Sequence, residues 1–245
     1  MLDLADAYAE TQANLADLVR ELPAERLATV VPASPDWDVK DVVAHVTGIA
    51  GDTVGGTIPP ELNPVEALTD PVQAERREAL TAEQVSSRRG RSIEEILDEW
   101  AGHLEQLLPM MRGETPFPRQ FPFADAIVLT DLAVHAQDVR SALDAPGDRD
   151  SAGVGIALAS FAAALGLRLA LNGVPPLRIR YGQKERVAGQ GEARATWEGE
   201  RYEIFRALAG RRSGDQILAM SWQGDPTPYV PLIPAYGPRT DPIIE

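Results

Sequence analysis

The chain has 245 residues, which is enough for one large domain or two ordinary ones. Hydrophobic residues make up 44% of it and charged residues 24%, a balance typical of folded proteins with a sizeable core. The formal net charge of −14 argues against binding to nucleic acids or anionic membranes. Cysteine is absent, which excludes disulfides, a cysteine nucleophile and thiolate ligands, so any thiol chemistry needs a thiol from outside.

Two segments bear on where the protein works. The first twelve residues, MLDLADAYAETQ, carry acidic groups where a secretory signal would carry basic ones. The stretch 154–171 is the most apolar, but Ser160 and Arg168 interrupt it, and it is too short and alanine-rich to span a membrane. We therefore expect a soluble, cytoplasmic protein.

Helical spacing of apolar residues runs through most of the first 143 residues. Asp38 and Ser92 each stand where they can cap the start of a helix. Segment 114–122 contains three prolines and segment 54–70 is rich in glycine and proline, so neither is expected to be regular helix. The predicted helices cover 3–21, 38–53, 71–86, 92–108 and 123–143. The four main ones suggest a four-helix bundle.

The composition changes at 145–151 (APGDRDS), which we take as a domain boundary that divides the chain into domains 1–146 and 147–245. An apolar helix is predicted directly after it, and then the pattern alternates as strands do. The predicted elements are a helix over 152–171, strands over 177–181 and 193–197, a helix over 202–209 and a short helix or strand over 216–222. The fold class is therefore expected to be α+β, a helical bundle followed by a small α+β domain.

The three histidines lie at 45, 103 and 135. Asp131 precedes His135 by four residues on a predicted helix, so the carboxylate and the imidazole share one face and can converge on a metal. With His45 from another helix they would leave one coordination position open, as catalytic zinc sites do. The plainer alternative places Asp131 on the solvent face and makes His135 a core histidine. The apolar surroundings of His45 and His135 favour a shared partner, because an unpaired buried imidazole is costly.

Several other side chains could serve such a site. Asp138 could orient His135 or be a surface acid that pairs with Arg140. His103 could be a fourth ligand, a general base or, as we prefer, a packing or pocket-lining residue. Trp37 is expected to pack at the entry of its helix.

Two arginine-bearing segments could contact a ligand. Arg206 could contact a carboxylate or sugar group of a bound molecule, whereas Arg211 and Arg212 suit the charge at a helix end. The segment with Phe117, Arg119, Phe121 and Phe123 could line the mouth of a site or be a hydrophobic anchor.

Four segments together resemble the mycothiol-dependent maleylpyruvate isomerase family, in the order in which the family has them. The two metal-ligand motifs of the family resemble PDWDVKDVVAHVTG and TDLAVHAQDVRSAL. Between these lies RSIEEILDEW, and near the C-terminus YEIFRALAGRRSGDQILAMSWQGDP resembles the signature of the second domain. The resemblance covers nearly the whole chain.

The resemblance implies a DinB-like four-helix bundle with a divalent metal, followed by a small α+β domain similar to sterol-carrier folds. It assigns the metal to His45, Asp131 and His135, although family members often have Glu in place of Asp131. Zinc is the preferred metal and mycothiol the thiol cosubstrate. A metal-activated thiol would attack a small electrophile, giving cis–trans isomerisation or thiol S-transfer.

Two other functions fit the same residues. The protein could be a non-catalytic metal- or small-ligand-binding protein of the same fold. It could also be a DinB-type hydrolase that uses metal-bound water without a thiol.

Overall fold

A computed structural model describes residues 3–58, 71–118, 124–235 and 237–245. The chain divides into two compact units, Met1–Gly153 and Val154–Glu245. The first is helical and the second combines a mixed sheet with helices, so the predicted α+β class is confirmed.

The first unit is built on helices that pack around a central one, α3. Their bounds are α1 Leu4–Arg20, α2 Ala24–Leu27, α3 Val39–Gly55, α4 Pro71–Ser86, α5 Ile93–Met111 and α6 Ala124–Ala142. Helix α3 contacts α4, α5 and α6, and α1 contacts α5 and α6. The four main predicted helices are therefore present as α1, α3, α5 and α6. Their starts follow local chemistry, since Asp38 accepts a hydrogen bond of 2.8 Å from the Asp41 amide.

A short antiparallel hairpin leads into α3 and was not predicted. It consists of β1 Val30–Val31 and β2 Ser34–Asp38. Its register pairs Val30 with Asp38 and Val31 with Ser34. Because Asp38 both ends β2 and caps α3, the hairpin places Trp37 directly at the start of the helix.

The second unit contains a four-stranded sheet in the order β4-β3-β5-β6. Its elements are α7 Ala152–Leu171, β3 Leu177–Tyr181, β4 Lys184–Ala188, β5 Ala195–Glu198, α8 Arg201–Leu208, α9 Gly214–Leu218, β6 Ser221–Gln223 and a 3-10 helix at Val230–Leu232. Strands β3 and β5 are parallel, and the other neighbouring pairs are antiparallel. The segment predicted as a short helix or strand over 216–222 is the end of α9 followed by the start of β6.

Helix α7 is the core helix of this unit. A Cβ added at Gly166 would lie 2.4 Å from the backbone nitrogen of Gly189, so the helix approaches the backbone after β4 as closely as glycine permits. Arg168 donates to the carbonyl oxygens of Leu232 and Ile233 at 2.9 and 2.7 Å. Burial lowers the pKa of this guanidinium to about 10. These contacts hold the C-terminal segment against the helix.

Among the described residues, α7 is the helix that is long and apolar enough to cross a membrane by length and composition. It is partly buried, and its Arg168 is buried and hydrogen-bonded. A core helix passes the same test of length and composition, so α7 does not require a membrane. The cytoplasmic location stays a prediction.

Candidate metal centre

His45 on α3 and Asp131 and His135 on α6 converge inside the first unit. The His45 Nε2 atom lies 3.4 Å from Asp131 Oδ2, and the His135 Nε2 atom lies 3.7 Å from Asp131 Oδ1. The two imidazole rings stand edge to face, with centroids 4.9 Å apart. His45 is 3% exposed and His135 8%. We call these three residues the ligand group.

The ligand group fits a divalent metal. One ligand atom from each residue can be chosen so that all lie within 4.8 Å of one another. In a tetrahedral site with bonds of about 2.0–2.2 Å, neighbouring ligand atoms are about 3.3–3.6 Å apart, close to the two distances between imidazole and carboxylate. The group can therefore bind a metal ion. The short Asp131 side chain reaches both imidazoles.

Local sequence explains how the group is held. On α6 the spacing of four residues places Asp131 and His135 on one face. On α3 every residue from Val42 to Gly48 is buried, so His45 is held inside the bundle and away from solvent. The solvent-face alternative for Asp131 does not describe its position, because the carboxylate points between the two imidazoles.

The far nitrogen of each imidazole faces a different partner. Asp138 Oδ2 lies 3.2 Å from His135 Nδ1, and the carboxylate is fully buried. The alternative of a surface acid paired with Arg140 is therefore wrong, and Arg140 pairs with Asp148 instead. His45 Nδ1 lies 2.8 Å from Oε1 of Gln84 on α4, a residue that the sequence did not single out.

Aromatic side chains border the ligand group on two sides. The Trp37 ring centroid lies 5.0 Å from that of His45 and 6.3 Å from that of His135, so Trp37 covers the imidazoles as well as packing at the start of α3. Deeper in the bundle, Trp100 Nε1 donates to the Tyr8 hydroxyl at 3.1 Å. Burial raises the pKa of Tyr8, and the negative charge of Asp131 raises it further, so the phenol stays neutral.

Arg77 on α4 is a cation near the group that the sequence analysis missed. Burial lowers the pKa of this half-buried guanidinium, while the negative charges of Glu78 and Asp131 act in the opposite direction. A positive charge on α4 therefore lies within electrostatic reach of Asp131. Helix α4 has a weak apolar pattern and a polar composition, so nothing in its sequence marked Arg77 or Gln84.

His103 lies apart from the ligand group and packs against α3. A Cβ at Gly51 would lie 2.7 Å from its Nε2 atom, and the same nitrogen is 3.3 Å from Glu99 Oε1. Glu99 also binds Arg88 and Arg91. This agrees with the packing role preferred for His103. Arg119, Phe121 and Phe123 lie outside the described residues, so the role of their segment stays a prediction.

Replacing Glu99 by glutamine should make the free energy of unfolding less dependent on pH in the acidic range. Burial raises the pKa of Glu99, but hydrogen bonds and charge from Arg88, with help from His103 and Arg91, bring it below its usual value. The ionised carboxylate therefore stabilises the fold above the ordinary carboxyl pKa, and this stabilisation is lost as the pH falls through the lower folded pKa. We expect Glu99→Gln to lower the free energy of unfolding at neutral pH by about 1–2 kcal/mol.

The measurement is urea unfolding of both proteins at neutral pH and at about pH 3, where carboxyl groups with ordinary pKa values are protonated. The difference between them should shrink at the lower pH. An equal difference at both pH values would show that the charge of Glu99 is not what stabilises this cluster.

Arg206, expected to contact a bound molecule, lies in the second unit on α8. Its side chain is fully buried and its guanidinium pairs with Glu245, with Nε 2.8 Å from Oε2. Arg212 joins the same cluster through Glu245 and through Glu203, at 2.7 Å. The arginine therefore has a structural partner, and a role in contacting a cosubstrate stays a prediction.

Comparisons with known proteins bear on the same region. The family model described as Mycothiol maleylpyruvate isomerase N-terminal domain matches residues 8–140, which contain the whole ligand group. A search of curated protein sequences found no significant match.

Two solved structures of the mycothiol-dependent maleylpyruvate isomerase resemble the chain in fold. One, of a histidine-to-alanine variant, is 12% identical over 84% of this chain and 88% of its own, with a TM-score of 0.53. The other is 14% identical over 85% and 88%, also with a TM-score of 0.53. The family model matches more than half of the chain and confirms the resemblance seen in the motifs. The chain belongs to the mycothiol maleylpyruvate isomerase N-terminal domain family.

Proposed function

We propose that this protein is a metal-dependent enzyme that uses mycothiol to attack a small electrophile, with cis–trans isomerisation or thiol S-transfer as the outcome. The observation that carries the proposal is the convergence of His45, Asp131 and His135 in a chain of this family. The choice of mycothiol as the thiol rests on the two similar solved structures, whose protein is named as mycothiol-dependent. The absence of cysteine is consistent with a thiol supplied from outside.

The ligand group would hold the metal, and zinc suits two imidazoles and one carboxylate. Bound zinc supplies a positive charge that favours the thiolate form of a thiol beside it. The protein's own residues prepare the place: His45 and His135 direct their Nε2 atoms toward Asp131, and Trp37 covers the rings. Water is thereby kept from much of the group, which strengthens the electrostatic interactions inside it.

The charge of Arg77 favours an electrophile that carries a carboxylate. A guanidinium matches a carboxylate in shape and charge, and the charge of Arg77 on α4 acts on Asp131 of the ligand group. Maleylpyruvate is one candidate of this class. The net charge of −14 makes a local cation the more useful for holding an anionic substrate.

The direct test combines zinc, mycothiol and a panel of electrophiles, with maleylpyruvate and neutral analogues among them. We expect trans isomer or thioether adduct only when both zinc and mycothiol are present, and a preference for the anionic members. His45→Ala should be inactive, and His103→Ala should retain activity because His103 lies apart from the group.

Other outcomes would point to the two alternative functions. Zinc binding without thiol-dependent turnover across the panel would favour the non-catalytic binding protein. Turnover of ester or amide probes without any thiol would favour the hydrolase.

Asp131→Glu tests the assignment of the third ligand. Because Asp131 already lies between the two imidazoles and family members often carry Glu, we expect zinc affinity to be kept or increased. Asp131→Asn removes the charge with little change in size and should weaken binding by about tenfold or more. Competition with a chromophoric chelator measures both variants. Equal affinity for wild type and Asp131→Asn would remove Asp131 from the site.

A further inference from the structure

A chain of hydrogen bonds leads from one edge of the His45 ring to a second carboxylate outside the ligand group. His45 Nδ1 lies 2.8 Å from Gln84 Oε1, and Gln84 Nε2 donates to Asp52 Oδ2 at 2.6 Å. The other oxygen of Asp52 accepts a hydrogen bond of 2.6 Å from the Thr57 hydroxyl. Gln84 is only 3% exposed, so its amide is shielded from solvent.

The Asp52 carboxylate at the end of this hydrogen-bond chain determines the orientation of the Gln84 amide in its middle. A carboxylate offers acceptors only, so the NH₂ end of the Gln84 amide must face Asp52. The oxygen of the amide then faces His45, and an amide oxygen can only accept. His45 Nδ1 must therefore carry the proton.

We infer that Asp52 and Gln84 are positioning residues that fix His45 in its Nδ1-protonated tautomer and so direct the lone pair of Nε2 toward the ligand group. The tautomer matters because only an unprotonated nitrogen can bind a metal. The inference deepens the proposed metal-dependent function and rests on it for its purpose. The tautomer itself does not depend on any metal and can be measured without one.

The surface of α3 is shaped to admit this chain. His45, Gly48 and Asp52 are spaced by three and four residues and therefore share one face of the helix. A Cβ added at Gly48 would lie 2.6 Å from both Cβ and Cγ of Gln84. Only glycine at this position lets the Gln84 side chain lie across the helix between His45 and Asp52. The glycine thus serves the hydrogen-bond chain.

The two histidines of the group are consequently held differently. Gln84 offers His45 a neutral amide oxygen, whereas Asp138 offers His135 a carboxylate. A carboxylate partner makes an imidazole a stronger ligand than an amide partner does. The amide of Gln84 therefore fixes the orientation and tautomer of His45, whereas His135 faces the negative charge of the Asp138 carboxylate.

The test is long-range ¹H–¹⁵N NMR of the full-length protein after chelation of metals, at about two pH units above the ordinary imidazole pKa of about 6.5. With only three histidines in the chain, His103→Gln and the ligand-group variants assign every ring. We expect the correlation pattern of an Nδ1-protonated ring for His45. In Gln84→Leu and in Asp52→Asn, we expect the Nε2-protonated form of His45 to be populated at least as much as the Nδ1-protonated form.

Two variants distinguish a specific effect on His45 from a general loss of the fold. Asp52 is partly exposed, so its replacement by Asn leaves the core untouched while allowing the Gln84 amide to turn round. The matched control is Gln137→Leu, which removes another buried glutamine, one that donates to the Gly147 carbonyl at 3.1 Å, and should leave the His45 pattern unchanged. An Nε2-protonated His45 in the wild type, or an unchanged pattern in both Gln84→Leu and Asp52→Asn, would overturn the inference.

Zinc affinity gives a second, independent readout. Gln84→Leu should weaken zinc binding by about 10- to 100-fold, the range typical for loss of a partner behind a ligating histidine. Competition with a chromophoric chelator measures it without any assay of activity. If the expected tautomer is seen but the wild type binds no zinc, the proposed function fails and the inference stands. If zinc binds but Gln84→Leu binds it as tightly as wild type, the positioning role is refuted.

Discussion

His45→Ala and His135→Ala are each expected to lose stoichiometric zinc. Each removes one of three ligands, so only one imidazole and the Asp131 carboxylate remain to hold the ion. The loss in zinc affinity should be at least about a hundredfold. That is the upper end of the loss seen when only a residue hydrogen-bonded to a metal ligand is removed. Zinc per chain after gel filtration, with chelator competition for the residual affinity, measures it.

His103→Ala is the matched control, since it removes the third histidine of the chain without touching the ligand group. It should bind one zinc ion as the wild type does. Stoichiometric zinc in both His45→Ala and His135→Ala would show that the metal binds elsewhere. Loss of zinc in all three variants would point to damage to the bundle, which far-ultraviolet circular dichroism would reveal.

Arg206→Ala should produce the largest loss of stability among the arginine variants. Its guanidinium is fully buried with the Glu245 carboxylate, and removal of one member of a buried ion pair costs about 3–5 kcal/mol when the other is left unpaired. Arg212 still pairs with Glu245, so we expect a loss at the lower end of this range. Truncation of the buried Arg206 side chain would also leave a cavity beside α8. Denaturant unfolding followed by tryptophan fluorescence is suitable, because Trp197 and Trp222 both lie in the second unit.

Arg211→Ala is the control for this experiment. Arg211 is only partly buried and donates to the nearby Ala209 carbonyl, so its loss should change stability by about 0.5 kcal/mol or less. The opposite result would be equally informative. If Arg206→Ala unfolds like wild type but loses thiol-dependent turnover, its role is to contact the cosubstrate, as the sequence first suggested.

The helix starts could be predicted because the interactions that fix them are local. The Asp38 carboxylate reaches the amide of Asp41, and Ser92 and Glu95 form a reciprocal capping box. Each partner lies within three residues of the other, so the sequence contains the whole interaction. The apolar spacing then continues the helix, and the predicted helices correspond to α1, α3, α5 and α6.

Other elements depend on distant partners and left little local signal. Strand β4 (KERVA) exposes four of its five side chains, so it has no alternating apolar pattern to detect. Strand β1 is two residues long and exists only through its pairing with β2. In both cases the strand is defined by its neighbour and not by its own residues.

The same distinction applies to the ligand group. The spacing of Asp131 and His135 was visible, and the apolar surroundings of His45 and His135 suggested a shared partner. Their meeting itself depends on the packing of α6 against α3, for which the family motifs were the stronger signal. Gln84 could not have been foreseen. It is a polar residue in a polar helix, and its burial is created by Gly48 across the interface.

The hairpin that precedes α3 gives the protein a built-in optical reporter. It holds the indole of Trp37 within 5.0 Å of one imidazole and 6.3 Å of the other, inside or near the distance of about 6 Å over which an aromatic face senses a cation. The other three tryptophans occupy different surroundings and can be replaced by phenylalanine. The emission of the remaining indole would then follow the arrival of positive charge among the imidazoles in real time, with no substrate and no added dye.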